Sequence, residues 1–311
     1  MRELAMLQKE ISKVIVGKDK EVELLTISLL FNGHILLESV PGTGKTMLAK
    51  TFSNIMNGKF SRIQFTPDVL PSDVTGIQFF NPKSQEFELR PGPIMANIVL
   101  ADEINRATPR TQSSLLEVME EGQVTIDGHT IPVQDPFMVI ATQNPVDSQQ
   151  GTFSLPIAQM DRFFIKLSID YPSLDEERKI IQMARGEKNT DKLEVILTPS
   201  SIEEMRNRVK AVRMNEEVEL YLIQTVRKTR EHPSIELGVS PRGSLALMKA
   251  AQGRAFLNGR SFVVPNDIKE MVPYVLSHRI YLTTEASLTK TADHILQEIV
   301  ESVPVPVEAG V

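Results

Sequence analysis

The segment SVPGTGKT, Ser39 to Thr46, sits between an apolar run at residues 34–37 and an amphipathic stretch that begins at Lys45. A glycine-rich turn that leaves a strand and opens a helix presents successive backbone N–H groups at a helix N-terminus, where negative charge is favoured. A lysine followed by a hydroxyl residue completes the pattern for holding a chain of phosphates. On this reading the N–H groups of Gly42 to Thr46 wrap the phosphates. Lys45 neutralises the β- and γ-phosphates, and the Thr46 hydroxyl holds Mg²⁺. Ser39 departs from the pattern, which has glycine there; the exchange matters if that position needs positive φ and is tolerated if glycine serves only close packing.

Phosphate binding is not hydrolysis, and a second segment supplies what is missing. Four apolar residues, Ile98 to Ala101, run into two carboxylates, Asp102 and Glu103. At the carboxyl end of a buried parallel strand, where ligands bind in open α/β sheets, Asp102 can support the Mg²⁺ shell. Glu103 can orient and activate an attacking water. A further strand-like run, Phe137–Thr142, leads into Gln143, Asn144 and Pro145. Asn144 either holds that water or touches the γ-phosphate, or it is a turn residue; Pro145 keeps it extended.

Arginines complete the chemically interesting set. Arg162 precedes the run Phe163–Ile169, and Asp161 beside it is a local ion-pair partner in the plainer reading. Arg106 and Arg110 follow the carboxylate pair and are equally open to contact a neighbouring chain. Arg242 follows Ser240 and Pro241, good residues for a helix cap and first position, so it falls in a first helical turn. Positive charge is disfavoured there by the helix dipole, and an external anion would remove the conflict.

The elements that must position these residues alternate in the first half. Leu4, Leu7, Ile11 and Ile15 repeat at helical spacing, and residues 20–31, 45–56 and 110–121 read as further helices. Strand-like runs recur at residues 34–37, 62–65, 98–101, 137–142 and 163–169. This alternation predicts a doubly wound α/β fold with a mostly parallel sheet. Two inserted hairpins are expected, residues 78–80 with 86–89 and residues 123–126 with 130–133, the second around Asp127-Gly128. Beyond Tyr171-Pro172 the chain reads as helical, at residues 174–185, 201–212, 216–230, 241–256 and 266–277. The expected organisation is a nucleotide-binding core over 1–172 and a smaller helical lid over 173–311, with a loose proline-containing tail.

Composition narrows the classes. The chain has 311 residues, 41% hydrophobic and 24% charged, which suits two packed units. Its net charge of −6 argues against a general nucleic-acid binder, and the absence of cysteine excludes disulfides, thiolate metal sites and thiol nucleophiles. His34, His129, His232, His278 and His294 are scattered without ligand spacing. No uninterrupted apolar run approaches the roughly 18 residues of a membrane span, so a cytoplasmic protein without membrane insertion is expected.

In their order, SVPGTGKT, NIVLADEINRA, VIATQNP, LPIAQMDRF and GVSPRGSLAL resemble AAA+ ATPases, and most closely the MoxR family; so do RIQFTPDVLPSDVTG and RPGPIMANIVLADEINRATPRTQSSLLEVMEEGQV. The resemblance spans nearly the whole chain. It implies a P-loop AAA+ core with a helical lid, an ATP- and Mg²⁺-dependent activity, and a ring, commonly a hexamer, with ATP between neighbours. Lys45 would be the Walker A lysine, and Pro41, Gly42, Thr43, Gly44, Thr46 and Met47 would contact the nucleotide. Asp102 and Glu103 would be the Walker B pair, Asn144 sensor 1, Arg162 the arginine finger acting on the next subunit, and Arg242 sensor 2. The segment Val14, Ile15, Val16 and Gly17 looks like the adenine-side segment, with Val16 and Gly17 against the nucleotide. The hairpins match the helix-2 and pre-sensor-1 inserts. Ile157 stands where the family usually carries a glutamate associated with the subunit interface, which puts the details of coupling between subunits in question.

The same resemblance implies a protein client, often one with a von Willebrand factor A domain, whose assembly, activation or metal insertion the ATPase drives. Phe79, Phe80 and Phe87 of the first hairpin either grip such a partner or pack its base against the core. Two other classes stay open: a nucleic-acid-dependent motor, and a nucleotide-regulated binding module with little turnover.

Overall fold

In the computed structural model, residues 2–40, 42–144, 152–185 and 193–306 are described; Pro41, Pro145 and the last five residues of the tail lie outside them. The first half comprises α1 (Arg2–Ser12), α2 (Asp19–Leu30), β1 (Ile35–Ser39), α3 (Lys45–Asn54), β2 (Phe60–Gln64), α4 (Pro71–Thr75), β3 (Gly76–Asn81), β4 (Glu86–Pro91) and β5 (Ile98–Asp102). It continues through α5 (Pro109–Glu121), β6 (Gln123–Ile126), β7 (His129–Pro132), β8 (Met138–Gln143), α6 (Ile157–Met160) and β9 (Ile165–Ile169). The second half is helical apart from a short pair of strands. It holds α7 (Leu174–Arg185), α8 (Pro199–Lys210), α9 (Glu216–Glu231), β10 (Ile235–Leu237), α10 (Pro241–Leu257), α11 (Pro265–Leu276), β11 (Tyr281–Leu282), α12 (Thr284–Ser287) and α13 (Ala292–Ser302).

Five strands form one parallel sheet in the order β2-β5-β8-β1-β9, so the fold is a doubly wound α/β arrangement followed by a helical second half. Alternate residues of each strand face opposite layers. Ile35, Leu37, Ile98, Leu100 and Ile140 join one buried cluster, and Leu36, Val99, Ala101 and Val139 join the other. Burial on both faces is why these strands read as continuous apolar runs rather than alternating ones. The change of character near Tyr171 is one of element type. The first cluster continues from the sheet through α1 and α2 into α8 to α13, so apolar packing does not break there.

Both expected hairpins form as separate two-stranded pairs, β3 with β4 and β6 with β7. In the first, Phe80 and Phe87 meet edge to face at 5.5 Å. Phe87 is 68% exposed and Phe80 50%, so these rings do not pack the hairpin against the core. α13, capped by Thr291 and anchored by buried Ile295, Leu296 and Ile299, is an element the sequence reading did not single out.

His34 ties three layers together at the start of β1. Its Nδ1 accepts the Val139 N–H at 3.0 Å, which leaves Nε2 to carry the proton toward Met119 O at 3.0 Å. Burial pushes its pKa down to about 4 against a smaller upward pull from the Met119 carbonyl.

Candidate active site

The glycine turn leaves β1 and enters α3. Gly42 and Gly44 have φ of 85° and 83°, the left-handed region that costs an L side chain about 1–2 kcal/mol. A Cβ added at either would meet nothing within 4 Å, so both face open space, as a cradle for a ligand requires. Ser39 differs: it is the last residue of β1, buried and paired opposite Ile169, and is not among the positive-φ residues. Its strand position needs no glycine conformation.

A cavity of about 1020 Å³ opens over this turn. It gathers Gly42, Gly44, Lys45, Thr46 and Met47 with Asp102, Glu103 and Asn144. Sheet order explains the convergence, because β8 lies between β5 and β1 and all three present their carboxyl ends together. Thr43 turns back, its hydroxyl donating to Val40 O at 3.2 Å.

The two carboxylates are held differently. Asp102 is 6% exposed. Its Oδ1 accepts from the Thr142 hydroxyl at 2.6 Å, and its Oδ2 accepts from Arg62 Nη2 at 2.7 Å and Nε at 3.2 Å. Lys45 Nζ stands 4.0 Å from Oδ1. Glu103 leaves the strand in a left-handed conformation, φ 58° and ψ 49°, which few non-glycine residues adopt. Its N–H donates to the Thr142 hydroxyl at 2.9 Å, and its Oε2 accepts from Gln64 Nε2 at 3.1 Å and Arg106 Nη1 at 3.0 Å. Such strain is sustained only where surrounding bonds over-determine it.

Other expected residues fall elsewhere. Val16 and Gly17 line a separate hollow with Lys18, Glu176 and Lys179, and Val14 is the residue of that segment that reaches the main cavity, with Leu193. Arg162 and Arg242 do not line the cavity. Both contact Glu120 of α5: Arg162 Nη2 lies 2.9 Å from Oε2 and Arg242 Nη2 3.3 Å from Oε1. The anion that the first-turn position of Arg242 calls for is thus a carboxylate of this chain. Asp161 is not the partner of Arg162; it pairs with Arg279 at 2.7 Å.

Arg62, Gln64, Thr142 and Glu120 were missed by sequence reading. Strand alternation was a usable signal for the first two, since Arg62 and Gln64 flank buried Ile63 at the carboxyl end of β2.

A divalent cation held by hard oxygen ligands fits this donor set. Thr46 and Asp102 offer a hydroxyl and a carboxylate in one cavity. Among the described residues no group of three or more His, Cys, Asp or Glu forms a self-sufficient metal site. A hydroxyl and a single carboxylate are the kind of partial donor set through which Mg²⁺ is commonly held, completed by phosphates and water.

Comparison with known proteins adds independent support. The family described as ATPase family associated with various cellular activities (AAA) matches residues 34–165, and the AAA lid domain matches residues 227–299. The chain is 49% identical over 302 residues to the uncharacterised Bacillus subtilis protein YeaC, covering 96% of this chain and 94% of that one. It is 41% identical over 300 residues to the Mycobacterium tuberculosis protein named Chaperone MoxR1, covering 94% and 78%. A crystal structure of a candidate ATPase from Cytophaga hutchinsonii superimposes with a TM-score of 0.91 at 37% identity, covering 98% and 96%.

Proposed function

Because the chain belongs to the MoxR family of AAA+ ATPases, we propose that it hydrolyses ATP over the glycine turn and uses the cycle, in a ring of identical subunits, to remodel a protein client. The observation that carries this reading is the meeting of Lys45, Thr46, Asp102, Glu103 and Asn144 in one cavity at the carboxyl ends of three adjacent strands.

ATP lies with its phosphates along the N–H groups of Gly42 to Thr46, with Pro41, Thr43 and Met47 completing the contact. Its base lies toward apolar Val14 and Leu193, with Val16 and Gly17 in the same N-terminal segment. Lys45 balances charge on the β- and γ-phosphates. The Thr46 hydroxyl and the Asp102 carboxylate would hold Mg²⁺, which neutralises phosphate charge when bound. Glu103 accepts a proton from water as the water oxygen bonds to the γ-phosphorus and the bond to the bridging oxygen of the leaving ADP breaks. Gln64 and Arg106 hold the Glu103 carboxylate on one oxygen, leaving the other for that water. Asn144, buried at the end of β8, is suited to orient the same water.

Arg162 and Arg242 sit outside this cavity beside Glu120 and are partly exposed, which fits Arg162 as an arginine offered to the nucleotide of the next subunit and Arg242 as the sensor 2 arginine. Membership of the family supports a ring, commonly a hexamer. The exposed Phe79, Phe80 and Phe87 of the first hairpin are a surface for a client, and the relative named a chaperone supports a protein as that client, with von Willebrand factor A domains and metal insertion as the family's precedent.

Mixing inactive subunits tests the shared site. Lys45→Ala lacks a working loop and Arg162→Ala a working finger. Each alone should lose turnover, and the mixture should regain part of it. Failure of the mixture to regain any would remove the assignment of Arg162 to a neighbouring site.

A further inference from the structure

Arg279 is almost completely buried, 5% exposed, just beyond the end of α11. All of its nitrogens are committed to the short segment that carries Arg162. Nε donates to Asp161 Oδ1 at 2.7 Å. Nη2 donates to the carbonyls of Phe163 at 2.7 Å and Asp161 at 3.3 Å. Nη1 reaches Phe164 O at 3.3 Å, the carbonyl of Val275 in the last turn of α11, and His278 Nε2 at 2.7 Å. Arg279 therefore binds the backbone on both sides of Arg162, whose own guanidinium pairs with Glu120. A planar guanidinium with a fixed fork of donors suits this task, and a lysine cannot reproduce it.

Two features of α10 serve the same arrangement. Ser240 caps that helix and also donates to the other Asp161 oxygen, Oδ2, at 3.1 Å. Gly243 has ordinary helical geometry, so glycine there costs up to about 1 kcal/mol relative to alanine. A Cβ at Gly243 would lie 2.9 Å from Arg279 Cδ and 2.5 Å from Val239 Cγ1. Glycine at this position makes room for the Arg279 stem.

We propose that Arg279 is the positioning residue for Arg162: by clamping the carbonyls of Asp161, Phe163 and Phe164, the C-terminal helical half sets where the arginine offered to the neighbouring nucleotide points. The inference rests on the trans role of Arg162 proposed above. Because Arg279 acts only through Arg162, its loss harms a subunit as donor of the arginine and leaves that subunit's own ATP loop intact. A misplacement of about 1 Å in such a group costs on the order of 10²-fold in rate.

The test uses the full-length assembled chain. Arg279→Gln alone should lower kcat on the order of 10²-fold and leave the KM for ATP within about twofold. Mixed with Lys45→Ala, whose Arg162 is intact, Arg279→Gln should regain turnover. Mixed with Arg162→Ala it should not, since neither partner then supplies a placed arginine. Gly243→Ala, which crowds Arg279 without removing it, should give the same pattern and serves if Arg279→Gln does not fold. Undiminished turnover by both Arg279→Gln and Gly243→Ala, where Arg162→Ala is inactive, overturns the positioning role. So does an equal failure of both mixtures while Lys45→Ala with Arg162→Ala recovers, because that pattern is general damage to the subunit. If Arg162→Ala itself turns over normally, or its mixture with Lys45→Ala does not recover, the reading of Arg162 fails and the inference with it.

Discussion

Thr142 donates its hydroxyl proton to Asp102 Oδ1 at 2.6 Å, and its hydroxyl oxygen accepts the Glu103 N–H at 2.9 Å. One buried side chain on β8 thus fixes both acids at the end of β5, the first by its carboxylate and the second by its strained backbone. Thr142→Val keeps the shape and removes both bonds. A buried donor left unsatisfied costs about 1–3 kcal/mol, so the unfolding free energy should fall by about that amount. ATP turnover should fall further than ATP affinity, because the acids move and the phosphate cradle does not. Unfolding in denaturant and steady-state kinetics read the two effects separately.

The glycine turn gives a contrast between neighbours. Ser39 lies in extended strand geometry, so Ser39→Gly should leave nucleotide affinity within about twofold, the scatter expected of a change that relieves no backbone strain. Gly42 has φ of 85°, and Gly42→Ala should distort the cradle by about 1–2 kcal/mol, weakening nucleotide binding on the order of tenfold. Titration with a slowly hydrolysed ATP analogue measures both. A gain in affinity from Ser39→Gly would show that the sequence departure does weaken the loop.

Acid should destabilise the fold through its buried histidines. Burial lowers the pKa of His34 to about 4 and that of His278 well below its ordinary value, the latter helped by the adjacent Arg279 charge. Both groups bind fewer protons folded than unfolded in this window. Their contribution is therefore complete above the unfolded value near 6.5 and is lost as pH falls toward the folded one. For His34 the loss amounts to about 3 kcal/mol across that interval. His34→Gln should flatten the fall in stability between pH 6.5 and 5, read by urea unfolding at stepped pH; an unchanged slope would contradict the buried neutral imidazole.

Contiguous chemistry was legible in the sequence. The loop and the acid pair each lie within a few residues, and the strands that carry them are apolar runs whose parallel arrangement follows from alternation with helices. The site's supporting residues were not legible, because they arrive from other elements. Arg62 and Gln64 come from the edge strand β2, Thr142 from β8 and Glu120 from the last turn of α5, and each looks like an ordinary surface polar residue in one dimension. Arg242 shows the limit of local argument. Its place in a first helical turn called for an anion, and the sequence alone could not say that Glu120 would supply one. The N-terminal segment shows another, since only packing decides that Val14, and not Val16, reaches the cavity.

The most direct test is phosphate release by the full-length chain with ATP and Mg²⁺, compared with Glu103→Gln under nucleotide saturation. Turnover by the native chain, its loss on the order of 10²–10⁴-fold in the variant, and retained ATP binding by both are expected if Glu103 is the base. A Glu103→Gln protein that hydrolyses ATP at the native rate would contradict that account at its centre.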